Sequence, residues 1–304
     1  MINQKILEDI VDETRYLLGQ GKVADYIPAL SKVDSNKLGV ALYTKENEVF
    51  GVGDYKEPFS IQSISKLFAL IQALTLYDEE DIWKRVKKEP SGQAFNSIVL
   101  LEFEKGIPRN PFINAGALVI SDMLQSKLPE PQSKMLSLCR DMAFNQSIEA
   151  DLEIAESEYN YSSRNASIAH LMKSFGNFDN EVDQVLKNYF YACSIKMSCL
   201  DLAKAFFCLM NNGQDIKNNQ YLTSLQSKKI NALLMMCGLY DGAGDFAYRV
   251  GMPGKSGVGG GIFAVLPNKM SICVWSPELD KVGNSLVGTM ILQKISELLG
   301  HSVF

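Results

Sequence analysis

GMPGKSGVGGG, residues 251–261, carries a Gly-Lys-Ser triplet inside a run of glycines. In a P-loop that triplet closes a motif whose first glycine lies five residues earlier, so that backbone amides curl around a phosphate. Position 249 is Arg249, and about fifty residues of chain beyond the triplet leave no room for a nucleotide-binding core. The alternative makes Lys255-Ser256-Gly257 a strand beside a nucleophile. That reading needs a partner upstream, and FSIQSISKLFAL, residues 59–70, supplies one.

Ser63-Ile64-Ser65-Lys66 is S-x-x-K at the start of an apolar run free of Gly and Pro, SISKLFALIQALTLY (63–77), which reads as a largely buried helix. Three residues is just under one helical turn, so Ser63 and Lys66 share a face. A serine hydroxyl is a weak nucleophile until a neighbour takes its proton. A buried lysine with a lowered pKa can do so, and the positive end of the helix dipole favours the charge that develops. S-x-x-K early and K-T-G late are the pair found in class A β-lactamases and penicillin-binding proteins; Lys255-Ser256-Gly257 is the conservative variant. The glycines around Val258 let substrate and backbone approach closely, and the N–H groups of Ser63 and Val258 pair as an oxyanion hole.

The rest of the chain fits such a layout. LGVALYT (38–44) and EVFGVGD (48–54) form a hairpin, as do GIFAVLP (261–267) and MSICVWSP (270–277). Residues 3–20 have the spacing of an amphipathic helix, and SLVGTMILQKISELLG (285–300) closes the chain as another. Between the hairpins the pattern is mostly helical, with loops at KLPEPQSK (127–134) and NNGQDIKNNQ (211–220). In DEEDIWKRVKKE the charges pair Glu80 with Lys84 and Asp81 with Arg85 at i,i+4. The expectation is an α+β (mixed α/β sandwich) fold with an antiparallel sheet built from both chain termini. One catalytic domain spans 1–304: a sheet part at about 20–62 and 245–304, and an inserted helical part at about 63–244. The site belongs in the cleft between them.

Composition narrows the chemistry. The 304 residues are 46% hydrophobic and 21% charged, with a net charge of −5, which suits a globular protein and argues against a nucleic-acid partner. No apolar run reaches membrane-spanning length and the N-terminus lacks a signal-peptide pattern, so a cytoplasmic protein with no membrane partner is expected. The six cysteines form no CxxC pair and read as buried free thiols. With only two histidines, His170 and His301, neither zinc nor a histidine-based triad is expected.

Longer stretches make the reading specific. KEPSGQAFNS (88–97), NPFINAGAL (110–118), SEYNYSSRNASIA (157–169), YFYACSI (189–195), CGLYDGAGDFAYRVG (237–251) and GMPGKSGVGGGI (251–262), with Tyr26-Ile27-Pro28, resemble the serine-dependent glutaminase family, in order from about residue 20 to the C-terminus. The resemblance implies a β-lactamase-like fold and hydrolysis of L-glutamine to L-glutamate and ammonia, with no metal or organic cofactor. It implies Ser63 as nucleophile, Lys66 as its partner and Tyr240 as a proton-shuttling phenol; the first proton goes to Lys66 or through Tyr240. Tyr26, Asn114, Glu158, Asn165, Tyr189, Tyr240 and the Val258 backbone would surround the substrate. Glu158 suits the α-ammonium, and the asparagines and tyrosines suit the α-carboxylate and the amide. Such a site should reject asparagine, whose amide falls short of Ser63. A homodimer or homotetramer is expected. A β-lactamase or penicillin-binding transpeptidase would share the serine chemistry, but such enzymes meet their substrates outside the cytoplasm and carry S-D-N, where this chain has only Ser163-Arg164-Asn165. A non-catalytic amino-acid sensor would not need Ser63, Lys66 and Tyr240 together.

Overall fold

The structure, a computed structural model, describes residues 2–92, 97–300 and 302–304. Part of the stretch 88–97, and His301, lie outside the described residues. Five antiparallel strands make the main sheet: β1 (Gly39–Thr44), β2 (Val49–Gly53), β3 (Gly254–Ser256), β4 (Gly261–Leu266) and β5 (Met270–Trp275). Their spatial order is β2-β1-β5-β4-β3. The expected hairpins are therefore present, and the two ends of the chain meet where β1 pairs with β5. One row runs Lys255, Phe263, Cys273, Ala41 across four strands.

Both faces of β1, β4 and β5 are covered, which is why these strands are apolar at successive positions rather than alternately. Val40, Leu42, Ile262, Ala264, Ile272 and Val274 pack under helices α1 (Gln4–Thr14) and α7 (Leu286–Leu299). Helix α1 is shorter than the stretch 3–20: it gives way to a 3-10 turn at Arg15–Leu17, and Gly19 beyond takes φ +84. The opposite face, with Tyr43, Phe263 and Trp275, packs on the helical part. The helices of that part used below are α2 (Ser65–Leu76), α3 (Asn114–Lys127), α4 (Leu152–Asn160), α5 (Ser163–Ser174) and α6 (Val182–Ser194).

Two ring contacts fix α2 to the sheet. Phe68 meets Phe206 at 4.4 Å between ring centroids, and Phe206 meets Phe263 at 4.7 Å. Buried aromatic contacts of this kind add to the area they bury, so the helix that follows Ser63 is seated on the strand next to Lys255. A small sheet not read from the sequence, Phe59–Ser60 beside Ile195–Met197 beside Glu149–Ala150, ties the entry to α2 to the end of α6. Its strands are two or three residues long and carry no periodicity to read. Two local expectations change as well. The loop at 127–134 ends early, because Pro131 starts the helix Pro131–Ala143, a position where its missing N–H costs nothing. Arg85 does not pair with Asp81, which goes to Lys84; it donates instead to Asp122 at 2.7 Å and Asp179 at 2.8 Å. Asp122 is fully buried, and a buried carboxylate claims the nearest guanidinium.

Candidate active site

Between the sheet and the helical part lies a cavity of about 420 Å³ whose lining includes Ser63, Asn114, Glu158, Tyr189 and Val258. Ser63 sits in the 3-10 turn Gln62–Ile64 that leads into α2, and is nearly buried. The turn is set by Gln62, which takes φ +48, a conformation unusual for a residue with a side chain. Its side-chain amide explains the cost: Nε2 donates to Ser60 Oγ at 2.9 Å and to Glu158 Oε1 at 2.7 Å. Gln62 was not legible as a site residue, since only its place beside Ser63 marks it.

Lys66 Nζ donates to the Phe112 carbonyl at 3.1 Å and to Asn114 Oδ1 at 2.8 Å, and Asn114 Nδ2 donates to Asn165 Oδ1 at 2.9 Å. Lys66 is buried with no ion-pair partner in contact among the described residues, and burial pulls its pKa down to about 8 against the opposing pull of Cys193 and Glu158. The lysine is therefore close to the neutral form that can take a proton. Burial also lifts Glu158 to about 7, although Gln62 and Lys66 draw it back. Glu158 lies in the acidic run 151–159 yet is buried at the end of α4, facing the turn that holds Ser63.

Tyr240 comes from a 3-10 turn after the helix Ser224–Cys237, with φ +53. It hydrogen-bonds Ser63, which lowers its pKa, while burial holds the phenol well above its ordinary value. Its ring lies between two lysines, with Lys66 Nζ 5.9 Å and Lys255 Nζ 4.4 Å from the centroid. Lys255 is fully buried on β3 and donates to the carbonyls of Gly238 at 2.9 Å and Ser256 at 2.6 Å. Burial and the nearby Lys66 hold its pKa well below the usual lysine value. Tyr189, buried on α6, closes the floor, and Tyr26, 54% exposed, rims the mouth. Asn165 lines the cavity from α5 beside Arg164, and Cys193 lines it from α6; neither Arg164 nor Cys193 was singled out in the sequence. His170 is exposed on α5 and is not among the lining residues.

The glycine-rich stretch turns from β3 into β4 against the Ser63 turn. A Cβ at Gly257 would lie 2.6 Å from the Ile61 carbonyl oxygen, and one at Gly259 2.4 Å from that of Ser60. The close approach that these glycines permit is thus made by the protein's own backbone, which carries Val258 up to Ser63. The Val258 N–H has no acceptor among the described residues. Trp275 holds the turn by donating Nε1 to the Gly259 carbonyl at 3.0 Å and by stacking on Phe59 at 4.9 Å. Gly259→Ala is expected to lower kcat roughly 10- to 100-fold and to lower Tm, because the turn must retreat from Ser60. Kinetics and a thermal melt of the same preparation check this; native kcat would show that Val258 tolerates the displacement.

Among the described residues no group of three or more His, Cys, Asp or Glu side chains is arranged to hold a metal ion, and no helix is long and apolar enough to cross a membrane. All six cysteines are free and buried.

The sequence profile of the glutaminase family matches residues 21–304. A glutaminase of Shewanella loihica is 61% identical over 304 residues, all of both chains. Among solved structures, a probable glutaminase superposes with a TM-score of 0.91 at 32% identity over 100% of this chain and 99% of that one. A probable glutaminase from Bacillus subtilis, complexed with 6-diazo-5-oxo-L-norleucine, gives 0.89 at 30% identity over 100% and 97%. The α+β architecture is that of the β-lactamase-like glutaminases. With the profile covering nearly the whole chain and a full-length relative at such identity, this chain belongs to the glutaminase family, hydrolases that act on a carboxamide C–N bond.

Proposed function

We propose that this protein, as one catalytic domain, hydrolyses L-glutamine to L-glutamate and ammonia through a γ-glutamyl ester on Ser63. The observation that carries the reading is the Ser63–Tyr240 hydrogen bond beside a buried Lys66 of lowered pKa. Ser63 Oγ attacks the side-chain amide carbon and gives its proton to Lys66 or, through Tyr240, to the same pair. The oxyanion is held by the N–H groups of Ser63 and Val258. The C–N bond breaks as the pair returns the proton to the leaving nitrogen, and ammonia departs. Water then adds to the ester carbonyl, the C–Oγ bond breaks, Ser63 recovers its proton and glutamate is released. The scheme draws only on side chains, backbone amides and water.

Glu158 receives the α-ammonium, where a charge-assisted bond outweighs a neutral one. Asn114, Asn165, Tyr26 and Tyr189 serve the α-carboxylate and the amide. The Lys66–Asn114–Asn165 chain makes head-group binding and lysine position a single network. The protein acts in the cytoplasm as a homodimer or homotetramer.

The test is covalent. A diazoketone analogue of glutamine, 6-diazo-5-oxo-L-norleucine, alkylates the group that attacks the amide carbon, with loss of nitrogen. Incubation followed by peptide mapping is expected to place the label on Ser63, with activity lost in proportion. A label on another residue, with Ser63 untouched, would overturn the assignment.

A further inference from the structure

Tyr240 is held in the left-handed region, and part of what fixes it lies behind the site, toward α7. The Gly238 carbonyl accepts from Ser256 N–H at 3.2 Å as well as from Lys255, and the Leu239 carbonyl accepts from Asn284 Nδ2 at 3.3 Å. Ser256 and Asn284 thus grip the two successive carbonyls that precede Tyr240. Both side chains are buried, and each has one polar atom with no partner among the described residues, Ser256 Oγ and Asn284 Oδ1.

The two orphans are complementary, a hydroxyl that can donate and an amide oxygen that can accept. They also lie on one face of the sheet. Ser256 pairs in register with Ile262, whose side chain packs with Val287 and Ile291 of α7. Asn284 enters α7, close enough to Gly242 that a Cβ there would lie 2.8 Å from its amide nitrogen. Ser276 Oγ, a third buried orphan, is two residues beyond Val274 on the same face. Leaving such groups unpaired is destabilising, and native interiors pair them with one another or with ordered water.

We propose that Ser256 Oγ–H is linked to Asn284 Oδ1 through one buried water, and that Asn284 is thereby a positioning residue for Tyr240. Asn284 pins the Leu239 carbonyl and so sets where the phenol stands relative to Ser63. The inference rests on the reading of Tyr240 as a proton carrier.

Asn284→Ala is expected to lower kcat about 10-fold or more, a 1 Å displacement of a catalytic group being enough to do so, while KM stays within about twofold. In a Tyr240→Phe background the same change should alter kcat less than twofold, because the hydroxyl it positions is gone. An equal loss in both backgrounds would mean a general structural role and overturn the proposal, as would native kcat in Asn284→Ala. Tyr240→Phe with native turnover would instead refute the proton-carrier reading, and the positioning role with it. A high-resolution crystal structure of the unmutated protein gives a second check. One water should be hydrogen-bonded to both Ser256 Oγ and Asn284 Oδ1, and its absence would refute the link.

Discussion

Ser63→Ala is expected to lower kcat by about 10⁴-fold or more, as losses of a serine nucleophile do, with KM and Tm near native. The Ser63 hydroxyl hydrogen-bonds Tyr240, and the turn that carries it is built by Gln62, Ser60 and Glu158. Removing one hydroxyl should therefore leave the cavity standing. Residual activity would come from the oxyanion amides and substrate binding, which survive the change. Ammonia release from L-glutamine, measured beside circular dichroism and a melt, decides the matter. Turnover within tenfold of native would mean that another group attacks the amide.

Glu158→Gln is expected to move activity and stability in opposite directions. In the substrate complex the carboxylate faces an ammonium, and a neutral amide forfeits the charge assistance. A loss of about 10²-fold in kcat/KM follows, carried mainly by KM. Without substrate the same carboxylate is a burden. Its folded pKa of about 7 lies above the ordinary 4.5, so the folded state holds a proton that the unfolded chain releases. The group is neutral and harmless below pH 4.5; its cost to stability grows as pH rises and is complete above pH 7, at about 3 kcal/mol. Glutamine at 158 keeps an acceptor for Gln62 and carries no charge. The variant should melt about 2–6 °C higher at pH 8 and lose the decline of stability between pH 4.5 and 7. Its kcat/KM should also lack the acid limb that protonation of Glu158 imposes on the native enzyme below about pH 7. A lower Tm at pH 8, or an unchanged acid limb, would refute the account of Glu158.

The closeness of Ser63, Lys66 and the K-S-G strand was legible because it depends on short spacing: S-x-x-K puts two side chains on one helical turn, and K-S-G needs a strand beside it. The hairpins were legible because strands covered on both faces are apolar throughout. Glu158 was harder. By composition DLEIAESEY reads as a solvated face, and only the family resemblance singled it out. Its burial is decided by Gln62, whose left-handed turn no glycine announces. The Phe112 carbonyl that holds Lys66 could not be read at all, since a backbone oxygen has no sequence signature. Arg85 illustrates a tertiary override, as a buried aspartate on α3 outcompetes the local i,i+4 partner.

The pairing of β1 with β5 also sets an order of assembly. Ser63 leaves the ribosome early, whereas the strand turn bearing Val258 and the β4–β5 hairpin that docks it emerge among the last residues. Most of the helical part can collapse on local contacts while synthesis proceeds, but the sheet waits for its distal half, a non-local closure of the kind that slows folding. An arrested chain ending before residue 250 should accordingly show helical circular dichroism and no glutamine turnover.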